Sequence, residues 1–144
     1  MTNALEKTYK ALPLAERLDL ALSDALPVEY RPFMVHEQWM VIKCYFARRA
    51  DLTPDEVAAL IEDQDHVIRL CIAKRPDLTP AMVEKCVKDR DPNVRHAISR
   101  NALASPAQRA QLQQDEDPLV ARAASKSTKG TQYRQRPGQT RLIK

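Results

Sequence analysis

The sequence predicts an all-α chain, folded as a right-handed α-solenoid with an N-terminal helical cap and a disordered basic C-terminal tail. Three observations support this fold class. The 144 residues include ten Pro and only two Gly, and helices exclude Gly from their interiors but accept Pro in their first turn. Prolines recur 26 residues apart, at Pro54, Pro80 and Pro106. Within each 26-residue block the apolar residues follow two helical stripes.

The 26-residue period divides most of the chain into a cap and four repeats. Residues 51–76 match 77–102 at 9 of 26 positions, and 77–102 match 103–128 at 8, whereas unrelated segments would match at roughly one or two. Residues 25–50 match the next block at 6 positions, which indicates a diverged repeat. Residues 1–24 have the length of one more repeat without its signature, which predicts a helical cap.

The first helix of each repeat, helix A, is predicted to begin at a hydroxyl residue followed by Pro. The three pairs are Thr53-Pro54, Thr79-Pro80 and Ser105-Pro106. The hydroxyl accepts a hydrogen bond from a free N–H of the first turn, and Pro is tolerated there because its position needs no donor. Glu56 and Gln108, three residues after their hydroxyls, complete predicted capping boxes.

The second helix, helix B, is predicted to follow an Asp-x-Asp turn and to bury one apolar stripe. The stripes are Ile68, Cys71 and Ile72; Val94, Ala97 and Ile98; Val120, Ala123 and Ala124; and, in the diverged repeat, Ile42, Tyr45 and Phe46. One helix pair cannot cover both of its stripes, whereas stacked pairs share a continuous core. The pattern therefore predicts a stack of repeats.

The run KDRDPNVRHAISRNALASPAQRAQL, residues 88–112, resembles the leucine-rich repeat variant family, whose units read DP..VR..VA.NP..P...L, and more loosely the HEAT repeats. The resemblance covers residues 51–128 well and residues 25–128 loosely. It implies a superhelical stack of helix pairs. An iron–sulfur cluster reported in that family would need clustered cysteines, which this sequence lacks, so the resemblance implies the fold and no cofactor.

Residues 26 apart stack into columns in a solenoid, and columns of Asp and of basic residues fall around helix B. We interpret them as a structural ladder, in which Asp residues cap helix B and bond to basic residues of a neighbouring repeat. Because the period accounts for these carboxylates, catalysis by paired carboxylates is the weaker alternative. The ladder comprises Asp63, Asp89 and Asp115; Asp65, Asp91 and Asp117; and Lys43, Arg69 and Arg95.

A second basic column lies in the last turn of each helix B. Cations there complement the negative end of the helix dipole, which is one interpretation. The other is a cationic stripe that follows the phosphate backbone of a polyanion along a concave face. The candidate phosphate-binding residues are Arg48, Lys74, Arg100 and Lys126, which we call the basic column, flanked by Arg49 and Arg75.

Residues 129–144 contain both glycines, five cations and no acidic residue. Such a segment buries too little apolar surface to order itself, which predicts a disordered basic arm. Its charge is +5, against +1 for residues 1–50 and −2 for residues 51–128, so the net charge of +4 resides in the tail. The arm is a further candidate nucleic-acid contact, through Arg134, Arg136 and Arg141; a solvated tail and a protein-docking peptide are the alternatives.

Five of the seven aromatic residues lie within residues 30–46. They either pack the first repeat against the cap or leave an aromatic surface for a partner. A surface of this kind would bind a protein or stack a base, and its candidate residues are Tyr30, Phe33 and Trp39.

These patterns predict a binding module and no enzyme. The sequence has no glycine-rich phosphate loop, metal-ligand cluster or nucleophile signature. Cys44, Cys71 and Cys86 lack CxxC spacing and are interpreted as reduced core thiols. We therefore expect no catalytic residue, no metal, no cofactor and no small-molecule substrate.

Two functions remain open at this point. One is non-specific binding of nucleic acid through the basic column and the C-terminal arm. The other is protein recognition through the solenoid groove or the aromatic surface. The sequence has no apolar run long enough to span a membrane and does not open with a signal peptide, so we expect no membrane partner and a cytoplasmic location.

Overall fold

A computed structural model describes residues 3–144, and almost all regular structure in this range is helical. The α-helices are α1 (Ala4–Ala11), α2 (Leu14–Leu22), α3 (Arg31–Val35), α4 (Met40–Ala47), α5 (Pro54–Leu60), α6 (His66–Ala73), α7 (Pro80–Val87), α8 (Pro92–Ser99), α9 (Pro106–Gln113) and α10 (Pro118–Ala124), with a 3-10 turn at Val28–Tyr30. Two short strands, β1 (Tyr133–Arg134) and β2 (Leu142–Ile143), pair antiparallel. The all-α prediction is confirmed over this range. Residues 1 and 2 of the predicted cap lie outside it.

The second helices of successive repeats pack on one another in a row. Helix α4 contacts α6, α6 contacts α8, and α8 contacts α10. Helix α2 contacts α4, so the second helix of the cap begins this row. We call α2, α4, α6, α8 and α10 the B row. On the other layer, α3 lies against α5 and α7 against α9. The predicted apolar stripes lie between the layers, where Ile68, Ile72 and Ile98 are fully buried.

The helix starts follow the capping chemistry read from the sequence. Thr53 with Glu56 and Ser105 with Gln108 form complete capping boxes, which confirms both predictions. Thr79 accepts a hydrogen bond from the Met82 N–H at 3.2 Å, without the reciprocal bond. Each of these hydroxyls accepts a hydrogen bond from a backbone N–H of the first helical turn that would otherwise have no partner.

The B-row helices α6, α8 and α10 begin at Asp residues of the ladder. Asp65, Asp91 and Asp117 each accept, at 2.8 Å, from the N–H two residues ahead. The Asp two residues earlier in each turn accepts from the N–H of this capping Asp at 2.9 Å. Both carboxylates of each Asp-x-Asp turn therefore accept a hydrogen bond from a backbone N–H group.

The same turns receive a cation from the preceding repeat. Arg69 donates through Nε and Nη2 to the two carboxylate oxygens of Asp89, at 2.9 and 3.1 Å. Arg95 binds Asp115 in the same way, at 2.8 and 3.2 Å. Lys43 forms an ion pair with Asp63. Each cation thus ties its own helix of the B row to the turn that starts the next one.

A second, buried ladder lies at the C-terminal ends of the B row. Arg75 is 0% exposed, and its Nη1 donates to the carbonyl oxygens of Ala47 and Arg49 at 3.1 and 2.7 Å. Arg49, 1% exposed, donates at 2.8 Å to the carbonyls of Ala21 and Ser23, again 28 and 26 residues back. The other side of each guanidinium binds the Asp two residues ahead, Asp51 or Asp77.

This ladder corrects the expectation that Arg49 and Arg75 contact phosphate. Both guanidinium groups are enclosed and their hydrogen bonds are occupied by the fold. In the next repeat the shorter Asn101 replaces Arg and donates at 2.9 Å to the carbonyls of Ala73 and Arg75. A helix end leaves its last carbonyl groups without hydrogen-bond donors. In this chain a side chain of the following repeat donates to them.

The structure also corrects the prediction that residues 129–144 are disordered. This tail runs from α10 back across the C-terminal ends of the B row. Lys129 donates its N–H to the carbonyl of Arg100, Ile143 to that of Arg48, and Thr140 to that of Leu22, at 3.0, 2.8 and 2.7 Å. The chain turns between the strands at Gly138, whose φ of +75° favours glycine.

Two features order a segment that its composition alone predicts to be mobile. Leu142 and Ile143 are 1% and 3% exposed, so the two apolar residues near the end of the tail are both buried. The backbone of the tail pairs with carbonyl and N–H groups at the ends of α2, α4 and α8 that would otherwise be free. The prediction failed because the apolar surface comes from only two residues and the hydrogen-bond partners lie far away in sequence.

The buried ladder predicts different roles for two adjacent cations. We expect Arg75→Met to lower the free energy of unfolding by about 2–4 kcal/mol, because it leaves buried carbonyl groups without donors. Lys74→Met removes the same charge from an exposed side chain and should stay within about 0.5 kcal/mol of the wild type. Urea denaturation followed by circular dichroism measures both, and equal losses would contradict the ladder.

The Arg–Asp ladder predicts a loss of stability in acid. Burial tends to raise the pKa of Asp89 and Asp115, but the hydrogen bonds from Arg69 and Arg95 and from backbone N–H groups hold the pKa of both below its ordinary value. A carboxylate with a lowered pKa stabilises the fold above its unfolded-state pKa, and this contribution is lost as the pH falls through the folded-state value.

The urea midpoint should therefore fall as the pH is lowered from about 5 to about 3. Asp115→Asn removes one of these titrating carboxyl groups, so this variant should lose less stability than the wild type over the same interval. An equal slope in the two proteins would show that the ladder does not contribute.

Candidate nucleic-acid interface

The four residues of the basic column lie at the C-terminal ends of the B row, as their spacing predicts. Arg48, Lys74 and Arg100 are the C-cap residues of α4, α6 and α8. Lys126 follows Ser125, the C-cap of α10. Lys74 and Lys126 are exposed, whereas Arg48 and Arg100 are half-buried.

The tail lies over this column and supplies further cations. The tail holds Arg48, whose Nε donates to the carbonyl oxygen of Ile143 at 2.8 Å. The guanidinium of Arg48 also lies 5.4 Å from the centroid of the Tyr45 ring on its own helix. Arg141 stacks 4.0 Å from the centroid of the Tyr133 ring, which fixes one tail cation by a cation–π contact. The column and the tail therefore form a single surface, which we call the cationic face: Arg48, Lys74, Arg100, Lys126, Lys129, Arg134, Arg136, Arg141 and Lys144.

A cavity of about 490 Å³ opens in the cationic face between the tail and helices α6 and α8. Its floor includes Lys74, His96 and Arg100, and its roof is formed by residues 129–132 and 143–144. Four cations line it, and among residues 3–144 no Asp or Glu side chain does. A cavity with this lining favours an anionic group over a neutral or cationic one.

The cations of the cationic face differ from the arginines of the two ladders in the number of bonds that they form within the protein. Arg49, Arg69, Arg75 and Arg95 each donate three or more side-chain hydrogen bonds to the protein. Among residues 3–144, no cation of the cationic face has a carboxylate within 4.0 Å, and Arg48 alone donates a side-chain hydrogen bond within the protein. Nη1 of Arg100 is inaccessible to solvent and has no partner in this part of the chain.

The predicted aromatic surface is reduced to one residue. The rings of Tyr30 and Phe33 are half-buried, and each lies 5.5 Å from the ring of the buried Tyr9. They pack the first repeat on the cap, which corrects their assignment to a partner-binding surface. Trp39 remains 51% exposed, beside Val41, which is 53% exposed.

A buried polar cluster of the cap was not found from the sequence. The Tyr9 hydroxyl donates to Glu37, which is itself buried and forms an ion pair with Arg17 at 3.2 Å. Burial, followed by the hydrogen bond and the charge of Glu37, raises the pKa of Tyr9. Arg17 and Glu37 stand 26 residues before Lys43 and Asp63, and their ion pair spans 20 residues like the pairs of the ladder, so extending the ladder columns by one repeat would have revealed it. Tyr9 alone has no such periodic signal. Their bonds are internal, which gives the cluster a role in holding the cap on the first repeat.

Comparisons with known proteins add no family to this description. No family model, no curated protein and no solved structure matches the chain. The likeness to leucine-rich repeat variant and HEAT units therefore stays a prediction. None of the helices in residues 3–144 is long and apolar enough to cross a membrane. The same residues contain no group of three or more His, Cys, Asp or Glu side chains placed to hold a metal ion.

The cationic face depends on the docking of the tail, which can be tested directly. Ile143→Asp places a charge at a buried position, so we expect the tail to detach and trypsin to cleave after Lys129 at least about tenfold faster. Gln135→Asp introduces the same charge at an exposed tail position and should leave the cleavage rate unchanged. Rapid cleavage of the wild type after Lys129 would contradict the docked tail.

Proposed function

We propose that this chain is a non-enzymatic right-handed α-solenoid that binds nucleic acid non-specifically through the cationic face. Support for the solenoid comes from two sets of bonds that recur with the repeat. Side chains of the buried ladder reach back 26 and 28 residues at three successive helix ends. Arg69 and Arg95 each reach forward 20 residues to the next turn. Hydrogen bonds that recur with the same separation in sequence are expected when each repeat is related to the next by the same rotation and translation, as in a solenoid.

The observation that carries the binding proposal is the contrast between the arginines of the two ladders and the cations of the cationic face. Arg49, Arg69, Arg75 and Arg95 are bound by carbonyl groups and carboxylates of the fold, whereas the nine cations of the cationic face form one side-chain hydrogen bond and no ion pair among residues 3–144. A free ammonium or guanidinium can exchange water and counterions for phosphate oxygens. The cationic face therefore gathers nine cations that are largely available to a ligand. Lys7, Arg90 and Arg122 are also unpaired among residues 3–144, but they lie apart from one another, on α1, before α8 and on α10.

Tail docking gives this surface its charge density. The body of the chain has a net charge of about −1, the sum of +1 and −2, and the tail adds +5. Because the tail lies along the ends of the B row, its cations are held next to the basic column. A docked cationic strip attracts a polyanion more strongly than the net charge of the whole chain would indicate.

The expected mode of recognition is contact with phosphates, without reading of bases. Lys74 and Lys126 are exposed ammonium groups on flexible stems, and such groups bind phosphate without fixing an orientation. The cavity adds a place where one phosphate group is surrounded by several cations. We therefore expect affinity to depend steeply on salt and weakly on sequence.

The test is a pair of double charge reversals with equal change in net charge. Lys74→Glu with Lys126→Glu alters the cationic face. Lys7→Glu with Arg90→Glu alters two exposed cations elsewhere, and Arg90 precedes α8 whereas Arg100 follows it. Binding to a mixed-sequence DNA duplex and to single-stranded RNA is measured by fluorescence anisotropy between 50 and 200 mM salt.

We expect the first pair to weaken binding at least about tenfold at low salt and to reduce the slope of log affinity against log salt by about two, because two phosphate contacts are lost. The control pair should keep the slope of the wild type. Equal losses in the two variants would show that binding follows net charge, and no binding by the wild type at low salt would refute the proposal.

A second candidate function is protein recognition, which the exposure of Trp39 and Val41 favours. Val28, which is 75% exposed, is a third uncovered apolar side chain of the first repeat. An exposed Trp is a frequent anchor of protein interfaces. This candidate predicts binding that survives high salt and is lost in Trp39→Ala, whereas the nucleic-acid proposal predicts that Trp39→Ala leaves duplex binding unchanged.

A further inference from the structure

Two cysteine sulfur atoms lie in contact between neighbouring helices of the B row. Sγ of Cys44, on α4, is 3.5 Å from Sγ of Cys71, on α6. The two residues are 27 apart, one more than the repeat, so they meet diagonally across adjacent helices. This explains why a search along columns of 26 did not pair them. The core role expected for both thiols does not account for a direct contact between them.

The two thiols differ in their access to solvent. Cys44 is half-buried, whereas Cys71 is buried beside it. Cys86, on α7, is also buried and has no sulfur partner among the described residues. A reagent from solution therefore reaches Cys44 first, and Cys71 is placed to react only with a group attached to Cys44.

The surroundings of Cys44 favour its thiolate. The hydrogen bond from the Cys71 thiol has the largest effect, burial opposes it, and the positive charges of Arg48 and Lys74 add to it, so that the pKa of Cys44 falls to about 7. The same contact raises the pKa of Cys71. Burial raises the pKa of Cys86 to about 12. Since the thiolate is the nucleophile, Cys44 is the reactive cysteine of the three.

We propose that Cys44 and Cys71 form a thiol-modification site that reduces a small-molecule disulfide and is itself converted to a reversible intramolecular disulfide. The Cys44 thiolate attacks one sulfur of the small disulfide, forms a mixed disulfide and releases one small thiolate. Cys71 then loses its proton to solvent and attacks Sγ of Cys44, which releases the second small thiolate. Two protein thiols are oxidised by two electrons, and one small disulfide is reduced to two thiols.

The fold needs little movement to close this bond. A disulfide holds its sulfur atoms about 2.05 Å apart, so the two Sγ atoms must approach by about 1.5 Å from their present 3.5 Å. Helices α4 and α6 already pack on each other, which leaves side-chain rotation and a small helix shift to supply that distance. The bond would link the first repeat to the second, near enough to Arg48 and Lys74 for their charges to act on Cys44.

The experiment treats the full chain with oxidised glutathione, quenches the reaction with acid, and alkylates the remaining thiols with N-ethylmaleimide. Mass spectrometry should show a product with a single alkyl group, on Cys86, and two hydrogens fewer than the reduced protein plus one such group, with a cross-link between the peptides of Cys44 and Cys71. A reduced protein after prolonged incubation, or a disulfide that includes Cys86, would overturn the proposal.

Three serine variants test the order of the two steps. Cys71→Ser should accumulate one glutathione on Cys44, because the resolving thiol is gone. Cys44→Ser should react at least about 100-fold more slowly, since only buried thiols with raised pKa values remain. Cys86→Ser should react at the wild-type rate. Equal rates for Cys44→Ser and the wild type, or no glutathione on Cys44 in Cys71→Ser, would contradict this order.

The pH dependence provides an independent readout. Because the Cys44 thiolate forms as the pH rises through about 7, the first step should speed up between about pH 6 and 8 and then level off, after correction for the small disulfide. A rate that continues to rise above about pH 9 would identify an ordinary or buried thiol as the nucleophile and would overturn the assignment to Cys44.

Discussion

The carbonyl groups at the C-terminal ends of the B row are the constraint on which the rest of the structure depends. A helix end leaves such groups without partners, and burying them unpaired is costly. This chain satisfies them in two ways, each for a different set of carbonyl groups. Arg49, Arg75 and Asn101 reach back from the following repeat, and the tail donates backbone N–H groups to Leu22, Arg48 and Arg100. Both the stacking of repeats and the course of the tail follow from this requirement.

The same helix ends explain how one chain can use Arg and Lys for opposite purposes. Arg75 is sealed between two repeats, while the adjacent Lys74 projects from the surface. The two residues are adjacent in sequence, but their side chains leave the helix end in different directions. Arg75 therefore binds groups of the fold, whereas the ammonium group of Lys74 can bind an anion. The docked tail adds its own cations to the basic column and so completes the cationic face. The fold and the proposed binding surface therefore both depend on the carbonyl groups at these helix ends.

Local and periodic features could be predicted from the sequence, and distant encounters could not. The capping boxes at Thr53 and Ser105 need only residues three apart, and the bond from Arg69 to Asp89 repeats with the period. The Arg-x-Asp spacing shared by Arg49 and Arg75 carried a usable signal that both side chains serve the fold. The contact between Ile143 and Arg48 spans 95 residues and rests on two apolar side chains, so composition indicated disorder.

The docked tail joins the fold to the proposed binding surface, and its amide hydrogens report on it most directly. Hydrogen exchange followed by NMR can resolve the N–H groups of Lys129, Thr140 and Ile143, which donate to Arg100, Leu22 and Arg48. We expect all three to exchange at least about 100-fold more slowly than in an unstructured peptide, and more slowly than the exposed Gln135. Exchange of all three at the unstructured rate would show that the tail does not dock and that the cationic face does not form.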